Sequence, residues 1–299
     1  MPGRWLTDVY TELAAMGVKP LAVTMIRSKE GIHVYRVEAD GGPMILKVFD
    51  SLGDAREISN YQLLSSLGIP TLRVIGSTQV AILLPDVESN EVFRMGSESD
   101  LSDPSVVRAL ARWYKVLHRR GSEFLATHDV NLYDETDVFT LANLEVIATA
   151  TGTQDNPLWK ELRTRFNSLR QSIDTLEKTL THNDFYWTNL IVATDGQSAM
   201  MLDFNLLGKG YAYSDVRNVT SSLSIEARQD FLDEYGETNP TEVQIDAIVA
   251  PLIGLYTACR CASLPTWAQP ALADLRSGTL LNHLKELGQN GTVPLSHSW

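Results

Sequence analysis

The sequence predicts an α+β fold: a small antiparallel sheet of five strands near the amino terminus, then a larger, mainly helical part with one embedded β-hairpin. Three observations predict it. Runs of β-branched and aliphatic residues fill the first 88 positions, apolar spacings of three and four dominate afterwards, and one pair of apolar runs around a turn interrupts the helical pattern at 190–202.

Leu21 to Arg27, Ile32 to Glu38 and Met44 to Val48 read as strands, the last two joined by Asp40-Gly41-Gly42-Pro43, which has hairpin-turn chemistry. Asp54 can cap a following helix whose apolar face is Ile58, Tyr61, Leu64 and Leu67, and Gly68 with Pro70 ends it. Leu72 to Ile75 and Val80 to Leu84, around Gly76-Ser77-Thr78, complete the five strands. Beyond them, Val106, Leu110, Trp113, Val116 and Leu117 mark one amphipathic helix, and Leu158, Leu162, Phe166, Leu169, Ile173 and Leu176 a longer one. Ala247 to Cys259 reads as a buried helix, too short to cross a bilayer. The expected organisation is a lobe over 1–88 and a helical lobe over 89–299.

With 299 residues, 44% hydrophobic and 21% charged, the chain is neither a disordered tail, a fibre nor a disulfide scaffold. Cys259 and Cys261 are too close for a local disulfide and lack metal-ligand spacing, which suggests reduced thiols in a cytoplasmic protein. No apolar signal-peptide core follows Met1-Pro2-Gly3-Arg4-Trp5. The net charge of −12 arises wholly after Pro85. Such a surface repels phosphodiester backbones, so neither nucleic acid nor a membrane is an expected partner, whereas a cationic small molecule would be attracted. Solubility alone explains the charge equally well.

The hairpin carries the chemistry. Leu190-Ile191-Val192 and Met200-Met201-Leu202 surround Thr194-Asp195-Gly196-Gln197, and a turn centred on Gly196 pairs residues whose numbers sum to 392, so Asn189 faces Asp203. Asp184 lies in the loop feeding this strand. Two oxygen donors and a nearby carboxylate are what phosphoryl transfer needs: Mg²⁺ held against the phosphates, and a base for the attacking hydroxyl. His182-x-Asp184-x-x-x-x-Asn189 followed by Leu202-Asp203-Phe204 has the spacing of a kinase catalytic loop and metal-binding Asp. The bland alternative makes Asp184 and Asp203 turn and strand-end residues with no shared site.

Lys47 is a lone charge in an apolar strand and needs a partner. Glu57 can be that partner, forming the ion pair that positions nucleotide phosphates, or can close a capping box with Asp54 and serve only its own helix. Ser28-Lys29-Glu30-Gly31 offers a single glycine, Gly31, for covering phosphates. Leu84-Pro85-Asp86-Val87 can form a base-binding hinge through the Pro85 carbonyl and the Val87 N–H, since Pro85 has no N–H of its own.

These residues, with Gly68-Ile69-Pro70-Thr71 and Leu117-His118, resemble the aminoglycoside phosphotransferase and choline kinase-like family, the small-molecule branch of the protein-kinase-like two-lobe fold. The resemblance implies Asp184 as catalytic base, Asn189 and Asp203 as Mg²⁺ ligands, Lys47 as phosphate clamp, and ATP as donor, with GTP not excluded. It also implies a small hydroxylated acceptor, with a cationic antibiotic such as an aminoglycoside suited to the acidic surface. Asp215 resembles a later structural Asp of the family, and fits a helix N-cap equally. Asn183 stands where that family often has Gly, Tyr186 where it has His or Lys, and Asn205 follows Phe204.

Acceptor candidates are Asp134, Glu135 and Asp137, then Asp230, Asp233 and Glu234 with Glu226 and Glu237, though charge clusters also occur simply as solvated faces. Tyr186 and Trp187 can wall an acceptor pocket, or Trp187 can pack in the core. The rival functions are a non-catalytic nucleotide- or ligand-binding protein of the same shape and a metal hydrolase using His182, Asp184 and Asp203. The latter lacks a histidine pair at metal spacing.

Overall fold

The computed structural model describes residues 3–289. In chain order its elements are α1 (Gly3–Ala15), β1 (Ala22–Lys29), β2 (Ile32–Glu38), β3 (Met44–Phe49), α2 (Arg56–Ser66), β4 (Gly76–Ser77), β5 (Ala81–Pro85), β6 (Phe93–Met95) and α3 (Pro104–Leu125). There follow α4 (Leu141–Ala150), α5 (Pro157–Thr175), β7 (Thr179–Thr181), β8 (Leu190–Ala193), β9 (Ala199–Met201), β10 (Gly208–Gly210), α6 (Tyr213–Ser222), α7 (Ile225–Tyr235), α8 (Pro240–Cys259), α9 (Gln269–Ser277) and α10 (Thr279–Gln289). Two compact units form, each from three stretches: residues to 129, 182–207 and 218–236 in the first; 130–181, 208–217 and 237 onward in the second.

In the first unit a five-stranded antiparallel sheet has the order β1-β2-β3-β5-β4. Alternation along β3 sends Met44, Leu46 and Val48 to one face, where they join Tyr35, Val37 and the α1 residues Val9 and Leu13 in a core. Val9 and Leu13 are 1% and 0% exposed, so burying them contributes about 1.5–3 kcal/mol each. Ile45 and Lys47 occupy the opposite face of the strand. Helix α1 was invisible in the strand-dominated reading of this region.

β1 and β2 meet through a two-residue tip. Lys29 pairs with Ile32, and Glu30 and Gly31 between them have φ of 52° and 79°, the left-handed pair that matches strand twist. The expected strand over Leu72 to Ile75 does not form. Thr78 N–H bonds to Ala81 O, which moves the turn later; Gly76–Ser77 forms the strand paired with β5, and Ile75 N–H donates to Leu83 O at its start.

Asp54 does not cap α2. Ala55 holds that position without a side-chain bond, and the Asp54 carboxylate instead accepts the Ser51 hydroxyl at 2.6 Å. The capping-box reading of Glu57 therefore fails. A second small sheet, β6-β8-β9, and the α3–α7 pair complete this unit; Asp103 caps α3 and Pro104 opens it.

The second unit is built around α8, whose Ile245, Ile248, Val249, Leu252 and Leu255 lie in a core with α4, α5, α9 and α10. The helix is 20 residues, longer than expected, and is the one helix among the described residues long and apolar enough to cross a membrane; 56% of that window is buried within the protein. Its Glu242 accepts the Tyr213 N–H at 2.9 Å and so serves the start of α6. Asp215 is consequently the third residue of that helix rather than its cap, and is 1% exposed.

Candidate active site

The chain from β7 to β8 folds around His182. Its ring is fully buried, with Nε2 2.9 Å from Leu202 O. Asn183 adopts φ 63°, a left-handed conformation that Asn tolerates better than most residues, and its Nδ2 donates to Leu206 O. Asn therefore does here what Gly would do. The following turn brings Asn189 back onto Asp184, with Nδ2 3.1 Å from Oδ2 and 3.2 Å from the Asp184 carbonyl.

The β8–β9 register differs from expectation by one residue. Leu190 pairs with Met201 and Val192 with Ala199, sums of 391, so Asn189 sits opposite Leu202, whose N–H donates to Asn189 O. The turn is centred between Asp195 and Gly196 rather than on Gly196. Asp203 lies one position beyond, at φ 59° and ψ 72°, where the left-handed backbone takes the chain out of the ladder.

Lys47 joins the pieces. Its Nζ is 2.8 and 3.0 Å from the two Glu57 oxygens and 3.6 Å from Asp203 Oδ1, which also accepts from Asn205 Nδ2 at 2.7 Å. Burial pulls the Lys47 ammonium down, but Glu57 and Asp203 outweigh it, and its pKa ends above the usual value. Burial pushes Glu57 up against the opposing pull of Lys47. Asp184 is also raised, first by burial and further by Asp203, with His182 and Asn189 acting against the shift. Asp184, Asp203 and Glu57 set three carboxylates against one ammonium. Beside them Asn205 Oδ1 is buried, with no hydrogen-bond partner among the described residues. Oxygen donors of this kind suit a hard divalent cation.

Two cavities meet this cluster, and Lys47 lines both. One, of about 320 Å³, is mostly apolar and runs past Ile45, Leu72, Leu84, Pro85, Val87 and Leu202. At its rim Arg36 binds Asp86 at 2.7 Å and also Glu88. Val87 opens a 3₁₀ turn, where an N–H has no intrahelical acceptor. The other, of about 490 Å³, is polar and contains Asp184, Asp203 and Asn205.

Gly31 does not line either cavity. It packs over Asp50 and Asp54, where an added Cβ would lie 3.3 Å from Asp54 Oδ2. Tyr186 and Trp187 are 64% and 38% exposed, so Trp187 is not a core residue. Asp230, Asp233 and Glu234 lie on α7, away from both cavities. Arg108 binds Asp230, Arg112 lies 3.4 Å from Glu234, and Gln229 donates to Asp233. Asp134 and Glu135 belong to the second unit, where Lys178 and Arg217 face them at 3.4 and 3.9 Å.

Several residues of the site escaped sequence reasoning. Arg27, Lys29 and Arg56 line the polar cavity. Gly96 lets β6 approach the turn that carries Trp187 and Asn189: a Cβ there would be 2.7 Å from Trp187 O and 2.8 Å from Leu190 Cβ. The alternation of Arg27 and Lys29 along β1 was the available signal for the first pair; nothing local announces Gly96.

A five-stranded antiparallel sheet whose Lys47 pairs with Glu57 of α2, set beside Asp184 and Asp203, is an arrangement of the kinase-like kind. The chain belongs to the phosphotransferase enzyme family, whose profile matches residues 24–246, and is therefore a small-molecule kinase by class. A comparison with curated proteins returns no match. Among solved structures, the macrolide 2′-phosphotransferase MphH of Brachybacterium faecium is 16% identical, with a TM-score of 0.58 over 91% of this chain and 97% of that one. Choline kinase from Cryptosporidium parvum Iowa II is 13% identical, TM-score 0.56, covering 92% of each chain. A spectinomycin phosphotransferase in complex with ADP and spectinomycin is 12% identical, TM-score 0.55, covering 97% and 99%. These likenesses are of fold.

Proposed function

We propose that the protein transfers the γ-phosphoryl group of ATP, with Mg²⁺, to a hydroxyl of a small molecule. The observation that carries this reading is the position of Lys47, on the wall of both an apolar cavity sized for a purine and a polar cavity containing two carboxylates. In this reading residues 1–88 supply the nucleotide lobe and 89–299 the catalytic and acceptor-binding lobe. The Pro85 carbonyl and Val87 N–H hold the base edge, Lys47, kept in place by Glu57, contacts the phosphates, and Gly31 turns the hairpin above them.

Asp203 and Asn189 would hold Mg²⁺, which when bound supplies neutralisation of phosphate charge. Asp184 orients the acceptor hydroxyl and takes its proton as the oxygen bonds to the γ-phosphorus, while the bond to the bridging oxygen of ADP breaks. Its raised pKa makes it a stronger base than an ordinary aspartate. Tyr186 and Trp187, exposed just after it, are placed to touch the acceptor. Dependence on ATP suits a cytoplasmic enzyme.

The test is release of ADP from ATP or GTP, with and without Mg²⁺, against a panel of aminoglycosides, macrolides, choline and other small alcohols. Turnover with one acceptor that disappears in Asp184→Ala supports the reading. An Asp184→Ala enzyme as fast as the parent refutes the assigned base.

A further inference from the structure

Arg27 and Lys29 are alternate residues of β1 and share one face of the sheet. Arg27 pairs with Val34 on one side, and Lys47 pairs with Val34 on the other, so Arg27, Val34 and Lys47 form a row across three strands. Arg56 reaches the same cavity from the first turn of α2, beside Glu57. Four cations from three elements thus line one cavity of about 490 Å³.

Their pairing is unequal. Lys47 is matched by Glu57 and Asp203, and Lys29 lies 3.2 Å from Glu30. Among the described residues neither the Arg27 nor the Arg56 guanidinium makes an ion pair or a hydrogen bond. A guanidinium left unpaired on a cavity wall suits a ligand with several anionic oxygens, which it can grip through two N–H groups at once. The hairpin tip offers such a ligand little: Gly31 sits directly over the carboxylates of Asp50 and Asp54.

We infer that Arg27 and Arg56, assisted by Lys29, bind the phosphate tail of the nucleotide, taking over with side chains the role that backbone amides play in a glycine-rich loop. The inference rests on the nucleotide-kinase reading above. It places phosphate recognition on the face of β1 and the start of α2, with Lys47 as the innermost cation.

Calorimetric titration of the full-length protein with ATP and, separately, with adenosine tests it, because adenosine lacks the phosphates. R27A/R56A should bind ATP at least about tenfold more weakly and adenosine within about twofold of the parent, tenfold being about 1.4 kcal/mol. R27K/R56K should recover part of the ATP affinity. Unchanged ATP binding in R27A/R56A overturns the inference, as does equal loss of adenosine and ATP, or a rise confined to the KM of the acceptor. Failure of the parent protein to bind ATP would instead count against the proposed function.

Discussion

The edge of the Tyr61 ring meets the Phe204 ring with centroids 4.8 Å apart and planes at 82°. Asn60 Nδ2 donates to Phe204 O at 2.7 Å, and Glu57 accepts the Phe204 N–H. Residues 57, 60 and 61 share one helical face, so α2 grips the segment that follows Asp203 by ring, carbonyl and amide together. Replacing Phe204 by Ala should cost about 3–5 kcal/mol of stability. Asn60→Ala, which removes one of two hydrogen bonds to this carbonyl and leaves the one from the Leu207 N–H, should cost about 0.5–1.5 kcal/mol. Urea denaturation measures both, and nucleotide affinity should fall with them.

Glu57 is fully buried and its charge is matched chiefly by Lys47. Lys47→Met should destabilise the protein by about 3–5 kcal/mol, because it strands a buried carboxylate. Adding Glu57→Gln should return part of that loss. A double variant whose loss equals the sum of the two single losses would show that the pair does not interact.

Asp184 ties activity to pH. In the proposed reaction protonation of Asp184 removes the base, so kcat should fall as pH drops through a midpoint above the ordinary aspartate value near pH 3.9. The raised value also means that the folded chain holds this proton more tightly than the unfolded one. The associated stability is full at low pH and lost as pH rises through the folded pKa. Asp184→Asn should therefore melt above the parent at pH 7, with the difference closing near pH 4, while losing about 10²–10⁴-fold in rate.

Gly96→Ala should displace the turn containing Trp187 and Asn189, since the new methyl group meets backbone on one side. A fall in kcat larger than any change in nucleotide affinity is expected. Full activity would mean that β6 can retreat without moving the turn.

In the second unit Arg217 Nε lies 2.9 Å from Asp246 Oδ2, and Tyr211 donates to Asp246 Oδ1. Burial raises the Asp246 pKa and Arg217 opposes it. Arg217→Met should thus destabilise by about 3–5 kcal/mol at pH 8. The loss should shrink as pH falls and Asp246 takes up a proton.

Strands β1, β2 and β3 were legible to within two residues because their faces carry distinct chemistry. The interior charge of Lys47 announced its own partner for the same reason. Helix α1 was not, since its cover over Leu46 and Val37 is a tertiary fact. The one-residue shift between β8 and β9 arose because turn composition does not specify where a turn is centred, and a left-handed Asp203 gives no local warning. The acidic residues of α7 were read as acceptor candidates, and their arginine partners, Arg108 for Asp230 and Arg112 for Glu234, come from a different helix that the spacing of α7 itself cannot announce.

The three-stretch construction of the first unit has a consequence for biosynthesis. A ribosome that has released only the first 129 residues has made Lys47, Glu57 and the apolar cavity's Pro85, yet none of Asp184, Asn189 or Asp203. The half of the site to which the proposed reaction assigns hydroxyl activation emerges later, and α7, which completes the unit, later still. Truncated products of the amino-terminal part therefore carry Lys47 and Glu57 without the carboxylates that the proposed transfer requires.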